Sequence, residues 1–508
     1  MKSANVKKIL CTLLASLTLL SSVTMFTGCG ETVDDSVTTD TDAVTTASET
    51  ETGEVDHRFD GVNYNGREFR IYTSANSAEI STSNPLIEGI GKTGGGLVSD
   101  AVFARNVTVE ELLDINLVFT QCDLTYSGVA ADIRKLTQSG DNDYELVIND
   151  IYGFSELIIE GNFRNILDEE CVFDFNRNYW YQDYMDDLRL MDGYQYILAG
   201  DFFIDIIRTA KMLLVNKQIY LDHYGRSADE LYDVVSNYEW TYDKLNQLVT
   251  NMYIDKNMDG IKNAGDQFGY ADMGFWPSAM IFAVSGTDNF ITRDEDGIPS
   301  ITIHEGDRAN QLSAAITTLF NNESSSIGLT AGLLGPFVEN QMLVMGGLSL
   351  GALESDLLRQ MEGDAAVLPY PMLYSSDKKY ITSVHDTTEM GAILTTVSDM
   401  EFISTVVEVL NRETANILIP KYYKESLQVQ CVDDVKSAAM IDIIHDNFDN
   451  SFILAYNSAL SEGAILHAFA TAAEEKREFS AVFASSKKTI NKILERKIQQ
   501  FERNNTRN

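Results

Sequence analysis

The run Asp255-Lys256-Asn257-Met258-Asp259-Gly260-Ile261-Lys262-Asn263-Ala264-Gly265-Asp266 carries side-chain oxygens at alternating positions. That spacing suits a calcium loop. Asp255, Asn257 and Asp259 stand at positions one, three and five. Gly260 permits the sharp turn, Ile261 offers its backbone carbonyl, Asn263 fits position nine and Asp266 closes the loop. A hard cation collects several oxygens around one point, and this pattern can wrap them there. The final residue is Asp where the standard loop has a bidentate Glu, so its arm is shorter. The other reading is a polar turn held by Asx hydrogen bonds. A bound calcium would be structural, since no His or paired acid stands beside the loop, and no cofactor is required.

Other patterns that could carry chemistry are weaker. Gly347-Leu348-Ser349-Leu350-Gly351 matches the nucleophile elbow GxSxG, with Asp364 and His385 following in hydrolase order. The motif is short, and glycines in tight turns explain it better. Gly91-Lys92-Thr93 looks like the end of a phosphate loop, but Leu86 occupies the position of the required first glycine. There is no HExxH, and the six histidines are scattered. No constellation for catalysis emerges, and an enzyme is not expected.

Aromatics are more suggestive. Asn178 to Tyr184 holds Tyr179, Trp180, Tyr181 and Tyr184 beside Asp183. Tyr194, Tyr196, Asp201, Phe202 and Phe203 follow, then Trp276 and Tyr370. Aromatic faces cover the apolar faces of a small ligand and fix its orientation. Most aromatics in any chain also serve its core, and periodicity does not separate the two roles.

The elements that must position these residues alternate. Gly66–Thr73 reads as a strand and Asp100–Asp114 as a helix with Val102, Val109, Leu112 and Leu113 along one face. Asn116–Thr120 and Tyr144–Asn149 read as further strands. This alternation predicts an α/β layer with parallel pairing. Thr241 reads as a helix cap, with Trp240 and Leu245 as a staple and Lys244 in place of the capping-box Glu. Helical patterns dominate from Asp399, and Ile490, Leu494, Ile498 and Phe501 line one face of a final helix.

Composition narrows the function. A net charge of −38 excludes a nucleic-acid role, because phosphate contacts need clustered Lys and Arg. A hydrophobic content of 44% predicts a packed body, and its length calls for two or more domains. Lys2, Lys7 and Lys8 precede an uncharged apolar stretch that ends in Phe26-Thr27-Gly28-Cys29, the layout of an export signal over residues 1–28. Residues 30–56 hold nine acidic residues and no Lys or Arg, so residues 29–57 read as a disordered tether. Cys122, Cys171 and Cys431 are far apart and form no metal motif; buried free thiols are expected.

Thr27-Gly28-Cys29 resembles the bacterial lipobox, in which the cysteine is lipidated and becomes the new N-terminus. Phe26 departs from its usual Leu. The rest of the chain resembles extracellular solute-binding lipoproteins of ABC importers, the maltose-type sugar-binding family, and within it a subgroup from gut Firmicutes. The residues that carry this are Trp240-Thr241 with DKNMDGIKNAGDQFGY, then Leu368-Pro369-Tyr370-Pro371, Tyr380 and His385-Asp386. Asp100–Glu110 and Ile419-Pro420-Lys421-Tyr422-Tyr423 add to it. The resemblance implies a two-lobed α/β fold of the type II periplasmic-binding-protein kind, with hinge crossovers and a helical C-terminal part. Lobe 1 would take 58–150 plus 369–425, and lobe 2 would take 151–368 plus 426–508. The chain would cross near Asp150, near Leu368 and after Pro420. It further implies a monomer outside the cytoplasmic membrane, a small solute held between the lobes, and an ABC permease as partner. Carbohydrate is the expected solute class. Segment joints and aromatic content nominate Asp150, Tyr152, Trp180, Tyr181, Asp201, Trp276, Tyr370 and His385 as cleft residues. A lipid-anchored glycan hydrolase and a surface glycan sensor are the competing expectations.

Overall fold

The computed structural model describes residues 57–74, 89–328, 334–361, 364–430, 435–460 and 464–505. Cys29, the tether up to Asp56 and Cys431 lie outside them. The described residues belong to one compact unit that starts at His57.

Two sheets organise this unit. The first runs β11-β3-β1-β2, from β1 (Arg67–Ser74), β2 (Ile115–Cys122), β3 (Leu146–Asp150) and β11 (Glu389–Ala392). The second runs β10-β4-β9-β5-β8, from β4 (Lys211–Asn216), β5 (Phe268–Asp272), β8 (Ser325–Ile327), β9 (Met342–Ser349) and β10 (Ala365–Leu368). β1 pairs in parallel with β2 and β3, and β5 with β8 and β9. Each sheet also takes antiparallel partners: β11 lies against β3, and β4 against both β9 and β10. A short hairpin, β6 (Ile291–Arg293) with β7 (Pro299–Ile301), stands apart.

The strands and helices read from sequence form for the expected reason, burial of one face. β3, β4 and β5 are buried at every residue, as strands covered on both sides must be. Helix Leu97–Leu113 buries Val102, Val109 and Leu113, while Leu112 is exposed. Thr241 Oγ1 accepts from the Lys244 N–H at 3.3 Å and caps Tyr242–Val249. Final helix Lys487–Asn505 buries Ile490, Leu494, Ile498 and Phe501 and nothing else along its described length. Cys122 and Cys171 form no disulfide and are half-buried, less enclosed than expected. Among the described residues no helix is long and apolar enough to cross a membrane.

The division between lobes differs from the split drawn at Asp150. Helix Ile151–Glu160 packs back on helix Tyr126–Ser139 and β3, so it stays with the first sheet. Leu198 still bridges to Gly391 of β11. The chain passes to the second sheet only between there and Lys211, returns between Leu368 and Glu389, and leaves again through Thr414–Leu418 and Pro420–Gln430. The final helix also joins the first lobe: Lys497 pairs with Glu156 at 2.6 Å, and Asn504 Nδ2 donates to the Ile159 carbonyl. Periodicity shows which face of a helix is buried but not which sheet covers it.

Candidate functional site

In open α/β sheets, ligands bind beyond the carboxyl ends of the parallel strands. Here those ends lie where the chain passes between the sheets. β3 ends at Asp150, which pairs with Glu389 at the start of β11. β9 ends at Ser349, which pairs with Lys211 at the start of β4, and β5 ends at Asp272. The two sheet ends are linked by 205–210 and by 383–388: Thr209 and Thr388 bond through their hydroxyls at 2.5 Å, and the Lys211 N–H donates to the Ser383 carbonyl.

This floor gathers many buried ionisable groups. Asp150 is fully buried; Oδ1 accepts from Gly153 N and caps helix Ile151–Glu160, while Oδ2 has no partner. Burial, with Asp386 and Asp205 nearby, pushes the Asp150 carboxyl up to about 8, against the pull of the Gly153 bond. Asp205 Oδ2 accepts from the Glu389 N–H, and burial raises the Asp205 carboxyl against the opposing Arg208 charge. Glu389, with Oε1 unpartnered, is raised by burial and then by its acidic neighbours. A cavity of about 20 Å³ touches Asp205 and Glu389, room for one water. Arg208 bonds Glu354 through two nitrogens at 3.0 and 3.3 Å, and Tyr422 donates to the same carboxylate at 2.9 Å.

On the second-sheet side, Lys211 is 5% exposed and its Nζ donates to Ser349 Oγ at 3.0 Å. Burial lowers this amine to about 8, opposed by Asp386 and Asp272. Asp272 accepts from Tyr270 and from the Met273 N–H. Gly346 and Gly347 make room for it: a Cβ there would stand 2.4 and 2.6 Å from its oxygens, and Gly347 has φ 76°.

The nominated residues separate into groups. Asp150, Tyr152 and His385 meet at the floor, where the Tyr152 N–H donates to the Asp386 carbonyl and His385 Nδ1 lies 3.0 Å from Asp386 Oδ1. The Thr387 N–H and hydroxyl also lie at His385 Nδ1, at 3.1 and 2.7 Å. Trp180 and Tyr181 lie elsewhere, along a groove of about 370 Å³ that also takes in Tyr184, His445 and Phe448, with Asp201 bonded to Tyr181. Trp180 is buried there and donates to Glu408 at 2.9 Å, so its indole holds the fold. Tyr181 donates to Asp201 at 2.9 Å, and burial pushes that carboxyl up to about 7. Trp276, half-buried on the helix that follows β5, packs edge-on against His467. Tyr370 is 1% exposed; it contacts Phe282 and receives the Gly347 N–H. Lys211, Asp205, Arg208, Asp272 and Glu389 escaped sequence reasoning. The available signal was a lysine and a glutamate each opening an otherwise apolar strand, KMLLVN and EMGA.

The two sequence motifs lie differently. Ser349 bonds Lys211, whereas Asp364 sits beside Lys217, past the opposite end of β4, roughly 20 Å along the strand. No hydrolase triad assembles. Gly91-Lys92-Thr93 forms the turn into helix Leu97–Leu113, with the Lys92 N–H on Ser99. The Asp255–Asp266 loop precedes β5, at the end of the second sheet away from Asp272. Its turn is set by Asp255 Oδ2 on Gly260 N, Asp259 Oδ1 on Ile261 N and Asp266 Oδ2 on Asn263 N. Asp255 Oδ1 and the fully buried Asp266 Oδ1 have no partner. Two orphaned carboxylate oxygens in one loop fit a cation. The carboxylates are not already drawn around one point: among the described residues no three His, Cys, Asp or Glu form a metal cluster.

No protein-family model matches the sequence, and no curated protein matches it. Solved structures do. A cyclo/maltodextrin-binding protein complexed with maltotetraose is similar at a TM-score of 0.55 and 13% identity, over 85% of this chain and 98% of that one. A cyclic alpha-maltosyl-1,6-maltose binding protein from Arthrobacter globiformis gives 0.56 at 13% identity, over 85% and 100%. An ABC substrate-binding protein from Listeria monocytogenes, in complex with cycloalternan, gives 0.51 at 13% identity, over 85% and 99%. The fold is therefore the two-lobed α/β fold of periplasmic binding proteins, as expected from the sequence.

Proposed function

We propose that this chain is a non-catalytic solute receptor that takes a carbohydrate between its lobes and presents it to an ABC permease. The observation behind this is the cluster of buried ionisable groups at the carboxyl ends of both sheets, at the passages that join them. A ligand touching both lobes favours the closed form by the difference in its affinity for the two forms, and a permease that recognises the closed form reads that shift. Asp150, Tyr152 and His385 are the nominated residues nearest this floor, with Trp276 and Tyr370 on the second-lobe side; Tyr181 and Asp201 belong to the separate groove. Export and lipidation at Cys29 would hold the monomeric receptor beside its permease. Calcium in the Asp255–Asp266 loop would pin one lobe without entering the cleft: Asp255, Asn257, Asp259, the Ile261 carbonyl, Asn263 and Asp266 would hold it.

The experiment is titration calorimetry of the full chain with neutral oligosaccharides, alongside an assay for their cleavage. Saturable binding with no turnover is expected. Turnover, or a complete set of neutral saccharides with no heat of binding, would remove the carbohydrate-receptor reading. Intact-mass analysis of the mature N-terminus tests the lipid on Cys29.

A further inference from the structure

We infer that Lys211 reads the ligand: its ammonium, steadied by Ser349, donates its remaining hydrogens to ligand oxygens and rejects a ligand that places a cation there. This rests on the receptor reading and names a residue and a charge preference within it.

The argument begins with what an ammonium needs. It carries three donors and a full charge, and a buried charge is tolerated when paired or fully hydrogen-bonded. Lys211 is enclosed but bonds one neutral hydroxyl through its side chain. Among the described residues it has no ion pair; Asp386 and Asp272 act on it only through their fields. Asp272 is already taken by Tyr270 and Met273, and Asp386 lies against His385. Sequence neighbours do not account for the lysine: the rest of β4 is Met212-Leu213-Leu214-Val215-Asn216, and an apolar residue would suit such a strand better. Its place explains it. Lys211 is the first residue after the chain enters the second lobe, level with the end of β9, where a ligand held between the lobes would rest.

The same floor sets the class of ligand. Unpartnered acceptors, Asp150 Oδ2 and Glu389 Oε1, lie on the first-sheet side of the passage, and the incompletely bonded ammonium lies on the second. Vicinal hydroxyls accept from one and donate toward the other. Asp150 and Glu389, raised by burial, present oxygens without a full negative charge, whereas an ammonium on the ligand would meet Lys211.

The test uses the full chain with Lys211→Met and Lys211→Gln, probed with maltotetraose, anionic tetragalacturonate and cationic chitosan tetramer. Replacing an incompletely paired buried charge by an apolar side chain stabilises a protein, so ligand-free Lys211→Met is expected to melt about 2 °C above wild type, with Gln between them. Binding of maltotetraose should weaken about tenfold or more in both variants, the scale of a lost charged hydrogen bond. Wild type should discriminate against the cationic probe. If both variants melt below wild type, Lys211 is architectural and the inference fails. Unchanged affinity in Lys211→Met also overturns it. If wild type binds none of the three probes while Lys211→Met still melts higher, the carbohydrate reading falls and the reserved lysine stands.

Discussion

Glu408 and the cleft floor are both buried and charged, yet they are built in opposite ways. Glu408 is completely engaged: Arg58 and Tyr179 reach Oε1 at 2.7 Å each, and Trp180 reaches Oε2 at 2.9 Å. Lys211, Asp150 and Glu389 are each left with an open donor or acceptor. A polar group that its own protein satisfies is part of the frame. One that its protein leaves unsatisfied beside the passages between lobes is, on the inference above, held for a ligand. The contrast also corrects the aromatic argument, because Trp180 belongs to the frame.

The comparison can be broken in four places. The largest effect is expected at the engaged site. Glu408→Leu strands the Arg58 charge and two ring donors, and should cost about 3–5 kcal/mol in urea unfolding. A loss under about 1 kcal/mol would mean that Glu408 is not the anchor its bonds suggest. This sign is opposite to that expected for Lys211→Met. Next is the Asp255–Asp266 loop, the other place with open carboxylate oxygens. With calcium at a hundred times its dissociation constant, stability should rise by about 2.7 kcal/mol over chelated protein, and Asp266→Asn should abolish the difference. Equal melting with calcium and chelator sinks the site.

Third is Asp150. Its folded carboxyl is raised to about 8, above the unfolded value of about 4. The folded state therefore holds a proton that the unfolded state releases, and this contribution to stability fades as pH rises from about 4 through about 8. Glu389 is raised in the same direction. Asp150→Asn keeps a side-chain oxygen for the Gly153 cap, and should flatten the pH dependence of the melting temperature between pH 5 and 8. An unaltered slope would show that Asp150 does not titrate there. The smallest effect is at a satisfied local site: Thr241→Ala removes one cap bond and should cost about 1 kcal/mol by urea unfolding, with ligand affinity unchanged.

What was legible in the sequence was local. The strand at Arg67–Ser74, the cap at Thr241 and the stripe Ile490, Leu494, Ile498, Phe501 depend on neighbours within a few residues, and their types and spacing state the outcome. The floor depends on residues far apart in the chain. Lys211 and Ser349 are separated by 138 positions and Asp205 and Glu389 by 184. No window of sequence displays such a pair, which is why Lys211 went unnoticed and Tyr370, a core residue, was nominated. Asp150 and His385 were nominated because they stand at joints between segments, and the structure gathers buried polar groups there.

The knot of Arg208, Glu354 and Tyr422 carries a mechanical implication. Arg208 lies on the outgoing passage, Tyr422 on the last one, and Glu354 in the turn that follows β9. Fastened to one carboxylate, the two passages are tied to move together. The opening and closing that the proposed function calls for would then follow a single coordinate, like a door on two hinge pins set along one axis. A lobe-to-lobe distance measured one molecule at a time should fall into two populations with little between them.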